Sequence, residues 1–201
     1  MAPETKAPQV PDPTLSHTVG PDTPALLEST IGDNLDATVA RFPDRDALVD
    51  RATGTRMTYA ELGAEVDRLA RGLVAAGIGK GDRVGIWAPN CAEWVLTQFA
   101  TAKVGAILVN INPAYRSHEL GYVLNQAGIR MVVIAPAFKS SDYVAMVDAA
   151  RTDCPALEQV VIIGQASWDD LVSASKPGAG ITIVAACEVQ PRLPITMPKQ
   201  W

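Results

Sequence analysis

An α/β fold built on a parallel sheet is the class this sequence predicts, and three observations carry that expectation. From residue 83 onward, short apolar runs alternate with longer segments of helical period. The runs, such as MVVI at 131–134 and QVVII at 159–163, are apolar at consecutive positions, which suits strands buried on both faces. The segments between them are long enough to hold a helix, as β-α-β crossovers require. The chain therefore reads as a parallel sheet, doubly wound and Rossmann-like, with a small hairpin on its N-terminal side.

Residues 1–29 carry six prolines and few large apolar side chains, the composition of a disordered leader. Order is expected to begin near Thr30. Asp33 is placed to cap a helix through Leu35, Val39 and Phe42, and Pro43 ends it, because proline disfavours helical geometry in the residue before it. A strand at 47–50, a turn at 51–54 and a return strand at 55–57 make the hairpin. Thr58 and Glu61 form a capping box that opens the next helix. Leu62, Val66, Leu69 and Leu73 make its apolar stripe, with Glu65, Asp67, Arg68 and Arg71 off the stripe and Gly77 closing the helix.

Strands are then expected at 83–88, 106–109, 131–134 and 159–163, with helices at 91–103, 117–126 and 140–150 between them. Asn90 is a natural N-cap for the first of these helices, whose inner face is assigned to Trp94, Val95 and Phe99. Residues 168–172 suggest one helical turn. From Pro177 no period persists, and the proline-broken segment 177–201 reads as irregular. The working division is a leader at 1–29, one partial domain at 30–176 and a tail at 177–201.

Composition excludes several classes. The chain of 201 residues is 48% hydrophobic and 19% charged, an ordinary globular balance. A net charge of -5 gives no basic footprint for nucleic acid. No apolar run is long enough for a transmembrane segment, and the N-terminus lacks the basic start and apolar stretch of a secretory signal. A cytoplasmic location is the expectation. Cys91, Cys154 and Cys187 are widely spaced and odd in number, which suits reduced thiols better than a disulfide framework or zinc site. His17 and His118 are the only histidines, and His118 has no identifiable nucleophile partner.

Three segments invite a functional reading. Gly77-Ile78-Gly79-Lys80-Gly81-Asp82 mimics a phosphate-binding glycine loop, but a helix precedes it and a strand follows, the reverse of what that loop needs. It reads as a helix cap and surface turn, with Lys80 a solvated turn residue. The Asn110–Tyr115 stretch, NINPAY, follows a strand, where α/β proteins bind ligands. It can border a substrate or coenzyme path, or serve as a rigid turn fixed by Pro113; the rigid turn is favoured. Arg116 and Glu119 are assigned to the start of the following helix. No catalytic, cofactor-binding or metal-ligating residue is assigned.

Five segments in order carry a family resemblance: ARFPD at 40–44, MTYAEL at 57–62, GDRV at 81–84, NCAEW at 90–94 and AKVGAILVNINPAY at 102–115. Together, across about residues 31–163, they resemble the N-terminal part of the AMP-binding acyl-CoA synthetases and fatty-acid–CoA ligases, the adenylate-forming enzyme superfamily. The wording NINPAYRSHEL is most similar to medium- and long-chain fatty-acid and aryl-acid ligases. The resemblance implies activation of a carboxylic (fatty) acid by ATP and Mg2+ to an acyl-adenylate, then transfer to CoA. It also implies a Ser/Thr/Gly-rich phosphate loop ending in proline-lysine, and a catalytic lysine further on. Pro198-Lys199 echoes that ending, but residues 193–197 hold no glycine and no Ser/Thr run.

The resemblance thus implies that the parallel sheet is incomplete. The expectation is an N-terminal fragment truncated before the phosphate loop, with a possible frameshift after about Pro177, and inactive alone. ATP, Mg2+ and CoA belong to the full-length family, and none is expected for this fragment. A non-catalytic binding or complementation module is the alternative. A dinucleotide-dependent oxidoreductase is disfavoured because no G-x-G-x-x-G follows a strand. A sheet cut mid-domain leaves unpaired edges, so aggregation of the isolated chain is expected.

Overall fold

The structure, a computed structural model, describes residue 23 and residues 27–174. Most of the leader at 1–29 and the whole tail at 177–201, with Cys187 and Pro198-Lys199, lie outside the described residues.

Helix α1 spans Ile31–Arg41. Thr30, not Asp33, is its N-cap: the Thr30 hydroxyl accepts the Asp33 N–H at 3.0 Å and donates to the Asp33 carboxylate at 2.7 Å. Strands β1 (Asp46–Val49) and β2 (Arg56–Thr58) pair antiparallel as the expected hairpin, shifted by one residue at either end. Helix α2 (Tyr59–Ala75) opens with the capping box, in which Thr58 N–H donates to Glu61 at 2.8 Å and Glu61 N–H donates to Thr58 Oγ1 at 3.3 Å. Its stripe of Leu62, Val66, Leu69 and Leu73 is buried, and each such side chain stabilises the fold by roughly 1.5–3 kcal/mol. Gly77 takes φ 82° just past the helix. Gly77 N–H and Ile78 N–H then bond back to Val74 O and Leu73 O, a left-handed termination that a side chain would strain.

Strand β3 (Arg83–Trp87), helix α3 (Ala92–Val104), strand β4 (Ile107–Asn110), helix α4 (Ser117–Gln126) and strand β5 (Met131–Ile134) follow. Next come a two-residue hairpin, β6 (Ala137–Phe138) and β7 (Ser141–Asp142), helix α5 (Tyr143–Arg151), strand β8 (Gln159–Ile162) and helix α6 (Ala166–Ser173). The main sheet is four-stranded and parallel in the order β4-β3-β5-β8. The fold is thus α/β and doubly wound, as expected. Along β5, Met131 and Val133 join the core shared by α1, α2, α3 and α6, while Val132 and Ile134 join the core beneath α4 and α5. Burial on both faces holds for β3 and β5. The edge strands β4 and β8 are only half-buried.

Several boundaries differ for physical reasons. Asn90 is exposed, and Cys91 is the N-cap of α3. The inner face of α3 is Leu96, Ala100 and Val104, whereas Trp94, Val95 and Phe99 are half-buried on its flanks. Helix α5 starts at Tyr143 instead of residue 140, because Ser141 and Asp142 pair with β6 and the Asp142 carboxylate caps Ala145 N–H at 3.0 Å. Helix α6 has 8 residues, more than one turn. It lies so close to α2 that a Cβ on Gly72 would stand 2.0 Å from Leu171 O.

Lys103, on α3, is 2% exposed and pairs with Asp36 of α1 and Asp67 of α2, each at 2.5 Å. Burial pulls its pKa down, but the two carboxylates outweigh burial and the net shift is upward. One ammonium thus joins three helices.

Candidate functional site

In an open α/β sheet, ligands bind where the winding reverses, outside the carboxyl ends of the strands. Here the chain passes from β3 to its outer neighbour β4, then back across to β5 on the other side of β3. The reversal point is the carboxyl end of β3 and β5. Residues 88–91, 111–116 and 135–142 exit the strands at this end.

Trp87, the last residue of β3, and Tyr143, the first of α5, are fully buried beside this point. Their rings stack with centroids 3.5 Å apart and planes 9° from parallel. Trp87 Nε1–H donates to Asn112 O at 3.0 Å, and the Tyr143 hydroxyl donates to Pro113 O at 2.5 Å. Burial raises the Tyr143 pKa, so the phenol remains a donor at neutral pH. Asn112 Oδ1 accepts Ala114 N–H at 2.9 Å and closes the turn. Arg116 has two roles. Its N–H donates to the Glu119 carboxylate at 3.1 Å at the start of α4, and its guanidinium donates to Ser141 Oγ at 2.8 Å. The second bond joins the β4 exit loop to the β6–β7 hairpin. The assignment of both residues to the helix start accounts for Glu119 and for half of Arg116.

The structure thus brings residues 110–116 into a clamped rim and leaves the other singled-out residues elsewhere. Residues 77–82 lie between α2 and β3, with Asp82 accepting Gly79 N–H at 2.9 Å; Lys80 is exposed there. His118 is exposed on α4. It lines an open groove of about 680 Å³ between α4 and α5, together with Gly121, Tyr122 and Asn125. A smaller groove of about 440 Å³, lined by Lys139, Ser141, Asp142 and Gln165, opens beside the β6–β7 hairpin. Burial pushes the Cys91 thiol up to about 11, so it carries little thiolate at neutral pH and is no ready nucleophile. Among the described residues no group of three or more His, Cys, Asp or Glu is placed to hold a metal. The two residues that sequence reasoning missed are Trp87 and Tyr143. Apolar context around each signals core, and nothing local signals their shared target.

Comparison with known proteins decides the family. The model of the AMP-binding enzyme family matches residues 35–197. The chain belongs to the AMP-binding enzyme family. Curated relatives include the mouse medium-chain acyl-CoA ligase ACSF2, mitochondrial, 46% identical over 145 residues, which covers 72% of this chain and 23% of the relative. The human protein of the same name is 42% identical over 144 residues, again 72% of this chain and 23% of the relative. The chain therefore spans about a quarter of the length of these relatives.

Among solved structures, the N-terminal domain of FACL13 from Mycobacterium tuberculosis matches with a TM-score of 0.66 and 28% identity, over 73% of this chain and 36% of that one. The anthranilate CoA ligase AuaEII, solved with anthranoyl-AMP, matches with a TM-score of 0.66 and 25% identity, over 75% of this chain and 28% of that one. The AMP-binding family match runs on to residue 197. Family-like sequence therefore does not stop near Pro177, as the loss of periodicity had suggested.

Proposed function

We propose that this chain supplies the N-terminal scaffold of an ATP-dependent carboxylic acid–CoA ligase, with a medium-chain fatty acid as the acid. The family match over residues 35–197, together with relatives named as medium-chain acyl-CoA ligases, carries the reading. In the reaction, the acid carboxylate attacks the α-phosphate of Mg-ATP, forming acyl-AMP and releasing pyrophosphate. The CoA thiol then attacks the acyl carbon and AMP leaves. The first step needs amide donors, a lysine and Mg2+ around the phosphorus.

The described residues do not assemble that machinery. The glycine-rich turn at 77–82 lies at the opposite end of β3, and at the carboxyl rim the Trp87 N–H and the Tyr143 hydroxyl are engaged in holding backbone. The role proposed for this region is to present the 111–116 loop along the substrate or coenzyme path. The 201 residues alone are then inactive, with residues 30–176 acting as one partial domain. The test is acid- and ATP-dependent pyrophosphate exchange by the purified chain. No exchange is expected, and clear turnover would refute the inactivity claim.

A complementation role is a second reading, favoured by the β4 edge, where Ile107 is 52% exposed and no fifth strand pairs among the described residues. Exchange restored by adding the separately expressed remainder of a relative would support it. A monodisperse, well-folded monomer that leaves the remainder unaffected counts against it. No helix among the described residues is long and apolar enough to cross a membrane. A cytoplasmic location is proposed for the protein. Fractionation of the native host tests it, and recovery with an organelle, as the names of the vertebrate relatives suggest, overturns it.

A further inference from the structure

Trp87 and Tyr143 do more than fill the core. A buried indole N–H and a buried phenol O–H each need an acceptor. Here they converge on consecutive carbonyls, Asn112 O and Pro113 O, of a loop that follows an edge strand. Pro113 has no N–H, so the loop holds itself weakly; its internal ties are Ala114 N–H to Asn112 Oδ1 and Tyr115 N–H to Asn112 O, at 2.9 and 3.0 Å. Two adjacent carbonyls held from two different elements fix the loop's orientation as well as its place. The Arg116–Ser141 bond adds a third tie, to the neighbouring hairpin. The side chains of Asn112 and Ala114 remain exposed on the outer side.

We propose that the Trp87–Tyr143 pair is a positioning clamp: its two hydrogen bonds, beyond its packing, hold the 111–116 loop in one orientation for a ligand passing over the carboxyl end of the sheet. The ligand clause rests on the function proposed above; the clamp itself does not. Preorganising a loop in this way lowers the ordering cost that a ligand would otherwise meet.

Amide hydrogen exchange on the full 201-residue chain tests the clamp. Tyr143→Phe keeps the ring stack and deletes only the hydroxyl. Amides of residues 114–116 are expected to exchange about tenfold faster in this variant, while those of β3, β5 and α5 stay within about twofold of the parent. Trp87→Phe is expected to accelerate the same segment. Ser141→Ala, which frees Arg116 near the surface, gives the same signature more weakly and serves if a core variant does not fold. Loop exchange unchanged in all variants overturns the proposal. So does an equal acceleration across β3, β5 and α5, which is the mark of packing alone.

A second arm adds coenzyme A or decanoate to the parent chain. Slower exchange at 114–116, with less slowing in Tyr143→Phe, supports the ligand clause. No slowing with either probe overturns that clause while leaving the clamp to the variant data.

Discussion

The two ends of the parallel sheet are held by different chemistry. At the amino end most of the ties are charged. Arg83 Nε–H donates to Ala127 O at 3.0 Å, and Arg130 Nη1–H donates to Gly77 O at 2.7 Å. Arg130 also pairs with Asp82 at 3.1 Å and Glu158 at 2.9 Å. Gln159 donates to Ala76 O at 2.9 Å. Ala76, Gly77 and Ala127 are at or just past the carboxyl termini of α2 and α4, neither of which has a basic residue in its last turn. Side chains from the strands and their flanks thus supply the donors and positive charge that helix ends favour. At the carboxyl end, the deepest ties are neutral: a stacked aromatic pair donating to loop carbonyls. The charged end joins helix ends to strand starts, where no loop needs to be displayed. The neutral end fixes a loop from behind and leaves its outer side open.

The sharpest way to break this comparison is to truncate one member at each end. Tyr143→Ala removes a fully buried ring, its stack on Trp87 and a buried donor. It is expected to cost about 3–5 kcal/mol in urea unfolding, the range for aromatic-to-alanine changes in cores. Arg130→Met keeps much of the side-chain bulk and removes the charge. Arg130 is about a third exposed, so its pairs are screened and the expected cost is well below that of the tyrosine variant, shrinking as salt rises. Equal costs, or a salt-dependent cost for the tyrosine variant, would erase the distinction between the two ends.

The same contrast explains what the sequence disclosed. The α2 cap was legible because Thr58 and Glu61 are three residues apart and act on the turn they belong to. The bounds of α4 and β5 are legible in the sequence, since the apolar pattern and flanking glycine are local. The β6–β7 hairpin was missed because two-residue strands carry no period. Lys103 is charged on a helix, an unexceptional feature until its partners, 67 and 36 residues away, are brought to it by folding. The clamp joins residues 25 and 30 apart, through backbone carbonyls that no side-chain pattern can mark. Local signals specify elements. The ties between elements, on which the candidate site depends, are tertiary and use acceptors common to every residue.

The smallest predicted effect separates the two ends by pH. Asp82 has its pKa lowered from 3.8, chiefly by the Gly79 N–H, with Arg130 assisting and burial opposing. A depressed carboxylate contributes stability that is present above its unfolded pKa and lost as pH falls through the folded one. Tyr143 has its pKa raised from 10.0 by burial. A raised group contributes stability that is full below its unfolded pKa and lost as pH climbs through the folded one. The amino end is therefore acid-sensitive and the carboxyl end alkali-sensitive. In urea unfolding, Asp82→Asn is expected to cost about 1 kcal/mol at neutral pH, after discounting for its partial exposure, and the cost should fade toward pH 3. The cost of Tyr143→Phe should stay flat from acid to about pH 9 and fade only in stronger alkali. Taking each variant as a difference from the parent removes Lys103, whose raised pKa adds its own loss above 10.5. If the tyrosine variant's cost fell in acid together with that of Asp82→Asn, the two ends would share one titrating network, and the neutral clamp would be the wrong description of the carboxyl end.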